Sequence, residues 1–438
     1  MSDLRTQEQI TPRLHVVFEG REYKGDRGPK QFSIAGSLTG SYDAWTFVLD
    51  NSEGRNNDLL DLSLQRFTPI TIYHSDPLVN NGQERRFLQG VITGVRCMTG
   101  DSASNLLFSG YDLGKLLDSC ATPWVQIQGK TWQQLANTLF DSSWLSTGRS
   151  DGWGFQADVR GQVQITSFNR NPFLRAGEPV PVGRVGVERE FGTNFFAYVP
   201  PIQIEFGETV YDVLSRYARL VGLTQGKSGC FVSASADGYL QIFNPDELLE
   251  GERPRFRLQY HLDERNQRVK SCSYILDGEG IYSDYTMAWT VVRPPGELPK
   301  DPQDPNFGIY KARAEAQSTT GGSFFTPFFN GKPKVKRSLT FSEREAYTTK
   351  MADARVRWRE KQARYGEVAI QYTIEGHSMP TVDGKWLPVT EGVLFDVDDS
   401  RNNIKGTFMS ESVTLRQADG PVGTEADIVL RQVGLLGA

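Results

Sequence analysis

Residues 342–397 read SEREAYTTKMADARVRWREKQARYGEVAIQYTIEGHSMPTVDGKWLPVTEGVLFDV, a long helical pattern that hands over directly to strands. Ser342 and Glu345 have the spacing of a capping box, in which each side chain satisfies a backbone amide that the first helical turn leaves unpaired. Tyr347, Met351, Ala354 and Trp358 then fall on one apolar stripe. The remaining faces carry charge, including Arg344, Lys350, Arg355, Arg357, Arg359, Lys361 and Arg364, so most of the helix is expected to be solvated or to meet charged neighbours. Beyond Gly366 come strand-like Glu367 to Glu375, the turn Asp383-Gly384, Trp386, Pro388 and Val393 to Val397. The reading is a helix over residues 342–365 lying across a small antiparallel barrel.

Working outward, 438 residues exceed one ordinary core and predict two to four domains. Glycine at 43, proline at 22 and aromatics at 11% favour strands joined by turns. A net charge of −5 argues against a phosphate-binding surface as the main business of the chain. Cys97, Cys120, Cys230 and Cys272 lie far apart without a C-x-x-C, as expected of reduced structural thiols. No apolar run is long enough for a membrane span, and the start, Met1-Ser-Asp-Leu, lacks the apolar core of a signal peptide, so membrane insertion is not expected.

The first hundred residues alternate as six short strands: Leu14 to Phe18, Gln31 to Ala35, Trp45 to Asp50, Pro69 to Tyr73, Phe87 to Val95 and Asn105 to Ser109. Two segments with helical spacing follow, each opened by Gly-x-Thr. Gly129-Lys-Thr131 leads Trp132, Leu135, Ala136, Leu139 and Phe140, and Gly207-Glu-Thr209 leads Val210, Val213, Leu214, Tyr217 and Ala218. Each is followed by a hairpin, Phe155 to Thr166 turning at Arg160-Gly161 and Phe231 to Phe243 turning at Asp237-Gly238. Strands resume at Ser271 to Leu276 and Tyr285 to Val292, before a long proline- and glycine-rich loop over 293–334 that holds Phe324, Phe325, Phe328 and Phe329. Those rings either anchor the loop to its own domain or plug into a partner subunit.

The fold class is therefore α+β and β-rich, with two small antiparallel β-barrel domains flanking small α/β modules. The expected division is 1–110 for the first barrel, 111–200 and 201–258 for two small modules, and 259–438 for the second barrel with its loop and helix.

The residues that carry chemistry elsewhere read here as structural. Gly222-Leu-Thr-Gln-Gly226-Lys-Ser228 has one residue too few for a phosphate loop and follows a helix instead of a strand, so Gly222 reads as a helix C-cap. Asp396, Asp398 and Asp399 sit before a Ser-Arg-Asn-Asn turn that explains them without a metal. His15, His74, His261 and His377 are accompanied by no G-x-S-x-G elbow and take packing or turn roles. Lys332, Lys334, Lys336 and Arg337 read as a solvated strand edge or a charged subunit contact. No catalytic residue, cofactor site or metal site is singled out, which favours a scaffold over an enzyme.

The order of the pieces resembles the central baseplate hub proteins of contractile-tailed, Mu-like bacteriophages, related to the hub region of type VI secretion spike proteins. The resemblance runs over roughly residues 13–433, through Phe87-Leu-Gln-Gly-Val-Ile-Thr-Gly-Val95, Leu107-Phe-Ser-Gly-Tyr-Asp-Leu113, Glu208 to Gly222, Ala352-Asp-Ala-Arg-Val-Arg-Trp358, Trp386-Leu-Pro388 and Gly392-Val-Leu-Phe-Asp-Val397. It implies a homotrimeric ring in which each chain gives two related barrels, so that a threefold object presents a pseudo-sixfold rim to the tail tube and leaves a channel for DNA. The implied partners are a separate trimeric central spike, tail tube or tube-initiator proteins, baseplate wedge proteins and, as a further candidate, the tape measure protein. The implied location is the tail baseplate of a phage or phage-derived tailocin, assembled in the host cytoplasm. The competing reading is a peptidoglycan-binding protein or cell-wall hydrolase component, suggested by the helix-and-hairpin modules.

Overall fold

A computed structural model of the chain describes residues 12–52, 56, 59, 68–99, 104–122, 139, 165–166, 204–224, 231–234, 240–243, 254–261, 268–289, 309–313, 328–329, 332–333, 337–343, 349–418 and 423–434. The first half lays down β1 (Arg13–Phe18), β2 (Arg21–Tyr23), β3 (Pro29–Ser37), β4 (Ala44–Asp50), β5 (Thr68–Ser75), β6 (Arg85–Thr99) and β7 (Ser104–Asp112), the expected strands plus a short β2. They pair antiparallel in the spatial order β2-β1-β5-β6-β7-β4-β3. Alternate residues face inward because side chains change face at every step along a strand. Trp45, Phe47 and Leu49 on β4 are thus buried while Thr46 is exposed. The Trp45 and Phe47 rings stack at 5.4 Å and Phe47 meets Phe108 at 5.1 Å. Gly110 lies under this stack, where a Cβ would overlap both the Trp45 ring and the Val91 carbonyl.

Between the halves come α1 (Gly114–Ser119), β8 (Ile165–Thr166), α2 (Val210–Thr224), β9 (Phe231–Ala234) and β10 (Leu240–Phe243). α2 buries Val210, Val213, Leu214, Tyr217 and Ala218, the five positions its spacing singles out. Its start is fixed by a reciprocal cap: the Asp212 amide donates to Thr209 Oγ1 and the Thr209 amide to Asp212 Oδ2, both at 3.1 Å. β9 and β10 form the expected hairpin, and β8 adds to it in parallel. The earlier helix and most of the hairpin around Arg160-Gly161 lie outside the described residues.

The second half comprises β11 (Arg255–Tyr260), β12 (Val269–Leu276), β13 (Asp284–Trp289), β14 (Ile309–Arg313), β15 (Phe328–Phe329), β16 (Lys332–Pro333), β17 (Ser338–Glu343), α3 (Thr349–Glu367), β18 (Val368–Glu375), β19 (Ser378–Pro380), β20 (Trp386–Pro388), β21 (Leu394–Asp399), β22 (Ile404–Gln417) and β23 (Thr424–Gln432). Three expectations change here. Ser342 does not cap a helix; it sits in β17 opposite Ala288 of β13, and the helix begins at Thr349. The strand wins because Ser338, Thr340 and Ser342 face solvent while Leu339 and Phe341 turn inward, a period of two that continues past the apparent capping box. The 293–334 stretch is not structureless, since β14 pairs with β13 and β15 with β16. The helix also buries more than the expected stripe: Ala354 and Tyr365 are buried on that side and Val356 and Glu360 on the other, while Trp358 is half-buried under the Arg355 guanidinium at 4.2 Å. Glu360 is tolerated inside because Arg364, one turn on, pairs with it at 3.5 Å.

The two expected barrels are instead two curled halves of one continuous 13-stranded sheet. Among the described residues neither half is closed by a ladder, although β1 lies beside β3 and β11 beside β12. Each half has its own core, one around Trp45, Phe47 and Phe108 and the other around Phe256, Tyr372 and Phe395.

The halves repeat one topology. The order β5-β6-β7-β4-β3 in the first is matched by β21-β22-β23-β18-β12 in the second, every neighbouring pair antiparallel. Even the irregularities recur. β6 bulges between Ile92 and Gly94 against β7, and β22 bulges between Ser410 and Ser412 against β23. β3 shifts register between Pro29 and Gln31 against β4, and β12 between Val269 and Ser271 against β18. The halves differ in two places: β5 shifts register between Ile72 and Tyr73 against β6 where β21 and β22 run unbroken, and β1 runs antiparallel to β5 whereas β11 is parallel to β21.

Candidate functional site: the seam between the two halves

β22 makes the seam. Its first part pairs with β21, and past the bulge the same edge leaves β21 and pairs with β3, from Ser412 opposite Ser37 to Gln417 opposite Phe32. The Leu38 amide extends the ladder by donating to the Glu411 carbonyl at 2.7 Å. At Gly36 in β3 the end of the Glu391 side chain lies over the backbone, where a Cβ would make it swing aside.

Below this ladder two histidines from opposite halves meet. His74 ends β5, and His377 follows Gly376, whose φ of 82° turns the chain out of β18. His377 Nε2 lies 2.9 Å from the Arg416 carbonyl and must donate to it, which leaves His377 Nδ1 as the acceptor for a proton on His74 Nε2, 3.2 Å away. That pattern makes the His377 imidazole neutral. Burial drives His74 down to about 3, with His377 adding to the shift, and burial takes His377 down to about 4. Phe32 sits edge-on to His377 at 5.5 Å, and Phe87 packs against both cores.

Beside the pair, Ser378 Oγ donates to Asp76, and Arg268 donates from Nη1 to the Ser378 carbonyl at 3.0 Å. The Arg268 guanidinium lies over Trp386 at 4.2 Å; burial pulls its pKa down while Glu375 and Asp76 oppose that. The cleft above His74, lined by Asp76, Val79, Gln83, Arg85, Phe87 and Pro388, has about 20 Å³ of room, about one water molecule. Chemically, the arrangement is a latch: a neutral histidine pair beside an Asp76–Ser378–Arg268 chain of hydrogen bonds, fixing one half against the other.

The other singled-out residues take structural places. His15 stacks on Tyr73 at 5.1 Å with Glu84 at 3.0 Å, and His261 meets Ser400 Oγ at 3.0 Å. Asp396 pairs with Arg255 at 2.6 Å, while Asp399 accepts from Tyr372 and from Asn402 in the turn, as the turn reading expects. Gly222 lies inside α2, which runs on to Thr224, so it is not that helix's C-cap. Arg337 is not a solvated strand edge: it donates to the carbonyls of Glu279 at 2.6 Å and Ile281 at 3.1 Å and lies over Tyr282. Lys334, Lys336, Phe324, Phe325 and Cys230 lie outside the described residues, and Cys97, Cys120 and Cys272 are free thiols. Asp76, Arg268 and Ser378 carry no motif and went unnoticed in the sequence. No described helix is long and apolar enough to cross a membrane.

The sequence matches no family model and no curated protein. Solved structures do match. A tail protein from Neisseria meningitidis MC58 aligns with a TM-score of 0.65 at 16% identity, over 97% of this chain and 98% of that one. The 43 kDa tail protein of prophage MuSo2 from Shewanella oneidensis aligns with a TM-score of 0.62 at 16% identity, over 96% of this chain and 98% of its own. A lidless PdpA–VgrG complex aligns more loosely, with a TM-score of 0.51 at 10% identity, over 96% of this chain and 64% of that chain. Nearly end to end, the chain has the fold of these two tail proteins.

Proposed function

We propose that this protein is the structural hub of a contractile tail baseplate, acting by assembly and not by catalysis. Three copies form a ring. The observation that carries the reading is the repeated topology of the two halves: two similar units per chain give a trimer six similar units, which is what an adaptor between a sixfold tube and a threefold spike requires. The end-to-end likeness to tail proteins supports placement in a virion tail. The partners are then a trimeric spike on one side, tube or tube-initiator proteins on the other and wedge proteins outside, with DNA passing through the bore. In this scheme the two small modules expected at 111–200 and 201–258 form the insert between the repeats, its limits moved to 113–254 because β7 runs to Asp112 and β11 starts at Arg255. Light scattering of the purified chain, followed by electron-microscope images of it alone and with its tail neighbours, tests the proposal. The expected result is a trimer with six-lobed outline. A chain that stays monomeric, or that cleaves peptidoglycan unaided, would overturn it.

A further inference from the structure

We propose that Gly94–Thr99 of β6 in one copy pairs antiparallel with β12 of a second copy, repeating between chains the seam that β22 and β3 make within one. The inference rests on the trimeric ring proposed above and names the surfaces that would close it.

The internal repeat holds residue by residue. Gly94 and Ser412 are each the first paired residue past a bulge, and the ladders from there run in step: Gly94 to Thr99 against Ser109 to Ser104, Ser412 to Gln417 against Val429 to Thr424. β3 and β12 correspond in the same way, Ile34 and Tyr274 facing the equivalent Trp45 and Ile370, Ala35 and Ile275 facing Ala44 and Ala369. Within the chain, Ser412–Gln417 seats on β3, with Val413 opposite Gly36 and Leu415 opposite Ile34. The equivalent segment of β6 has no such neighbour: among the described residues it pairs with β7 alone, and β12 pairs with β18 alone.

The surface chemistry agrees. Of the eight large apolar side chains exposed among the described residues, five lie on these two segments: Val95 and Met98 on β6, Tyr274, Ile275 and Leu276 on β12. Ile275 is 67% exposed and Tyr274 50%, whereas Ile34, the counterpart of Tyr274, is 3% exposed beneath the seam. An exposed apolar edge strand is a template for another strand, and the occupant that the fold already specifies for this edge is the β6/β22 type of strand. Within one chain that strand is used on β3, so the second comes from another copy. The register transfers directly: Val95 opposite Leu276, Arg96 opposite Ile275, Cys97 opposite Tyr274 and Met98 opposite Ser273. Such a contact is head-to-tail, and three repeats of it close a ring instead of a dimer.

Oxidative cross-linking of the full chain tests the register. Facing Cβ atoms across an antiparallel pair come within about 5.5 Å, inside or near disulfide reach. Tyr274→Cys is expected to link to the native Cys97 of the next copy and give covalent dimers and trimers on a non-reducing gel. Adding Cys97→Ser abolishes the links, and Ser273→Cys, on the opposite face, does not form them. Ile275→Lys, which sets a like charge opposite Arg96 in this register, is expected to lower the trimer population at least tenfold at fixed concentration while leaving the circular dichroism of the monomer unchanged. A wild-type trimer that neither links through Tyr274→Cys nor weakens with Ile275→Lys overturns the strand assignment but spares the ring. Links that persist in Tyr274→Cys with Cys97→Ser indicate a symmetric β12 dimer and overturn it too. A wild-type chain that stays monomeric at tens of micromolar overturns the ring and this inference together.

Discussion

His74 and His377 are neutral because each imidazole is both buried and committed: one ring proton goes to the Arg416 carbonyl and the other to the neighbouring ring. Protonating His377 would place a donor on Nδ1 against the His74 Nε2 donor, and a charge on His74 would be buried beside the neighbouring ring. Released by unfolding, both rings titrate near 6.5, whereas in the fold His74 stays neutral to about 3 and His377 to about 4. The unfolded state therefore binds more protons as pH falls through 6.5, and stability declines from there, by up to about 1.4 kcal/mol per pH unit for each histidine, with no contribution above about pH 7. His74→Gln keeps a donor for His377 Nδ1 but cannot titrate. Urea midpoints measured between pH 6.5 and 4.5 should fall less steeply for it than for wild type, by one proton's worth of slope, and parallel curves would contradict the latch. Arg337 is the other residue whose geometry makes a sharp claim. Its planar fork reaches the Glu279 and Ile281 carbonyls at once, which an ammonium cannot imitate. Arg337→Lys should cost about 1–2 kcal/mol, and hydrogen exchange should speed up at residues 278–283 specifically; a uniform change across the protein would count against the clamp.

At the scale of the element, β22 decides how the halves join, and one residue in it sets the register. Glu411 occupies the bulge, with its carbonyl taken by the Leu38 amide and its carboxylate by Arg431 at 2.7 Å. Removing it would slip Ser412–Gln417 by one position and exchange their faces, turning Val413 and Leu415 out and Arg416 in. Deletion of Glu411 should therefore abolish soluble, folded protein, whereas Glu411→Ala keeps the register and should cost only about 1–3 kcal/mol for the lost charged bond; equal outcomes for the two variants, read by soluble yield and thermal melting, would sink the register argument. The strands themselves were legible. Thr68-Pro-Ile-Thr-Ile-Tyr-His-Ser75 alternates visibly, and the five buried positions of α2 follow its 3.6-residue period. Local period could not reveal which strands pair. Trp45, Phe47 and Leu49 correspond to Ile370, Tyr372 and Ile374 in the repeat, sharing only inward-facing bulk. Ser342 misled because S-x-x-E also arises in a strand, and β14, Ile-Tyr-Lys-Ala-Arg, hardly alternates at all. The histidine latch joins residues 303 apart, which no window along the chain can see.

Across the whole molecule, the two cores are separable but the sheet is not. Among the described residues the first core draws on Leu14 to Phe108 alone, so that half can collapse unaided, yet β3 would then present the edge that β22 covers in the intact chain. A fragment of residues 12–122 should accordingly fold and then associate, because a bare strand with Phe32 and Ile34 along it seeks another edge. Ala35 lies in the middle of that edge, opposite Thr414. Ala35→Lys would place a charge where strand addition has to bury it, and should return the fragment to a monomer, while the same change in the full chain should destabilise the seam. Light scattering over a concentration series separates these outcomes: a fragment that is already monomeric at high concentration, or an Ala35→Lys fragment that associates as strongly as its parent, would mean that β3 is not a reactive edge. The reasoning that makes β3 sticky without β22 is the same that makes β12 an open position in the intact chain, since the two strands occupy equivalent places in the repeat and only one of them is covered.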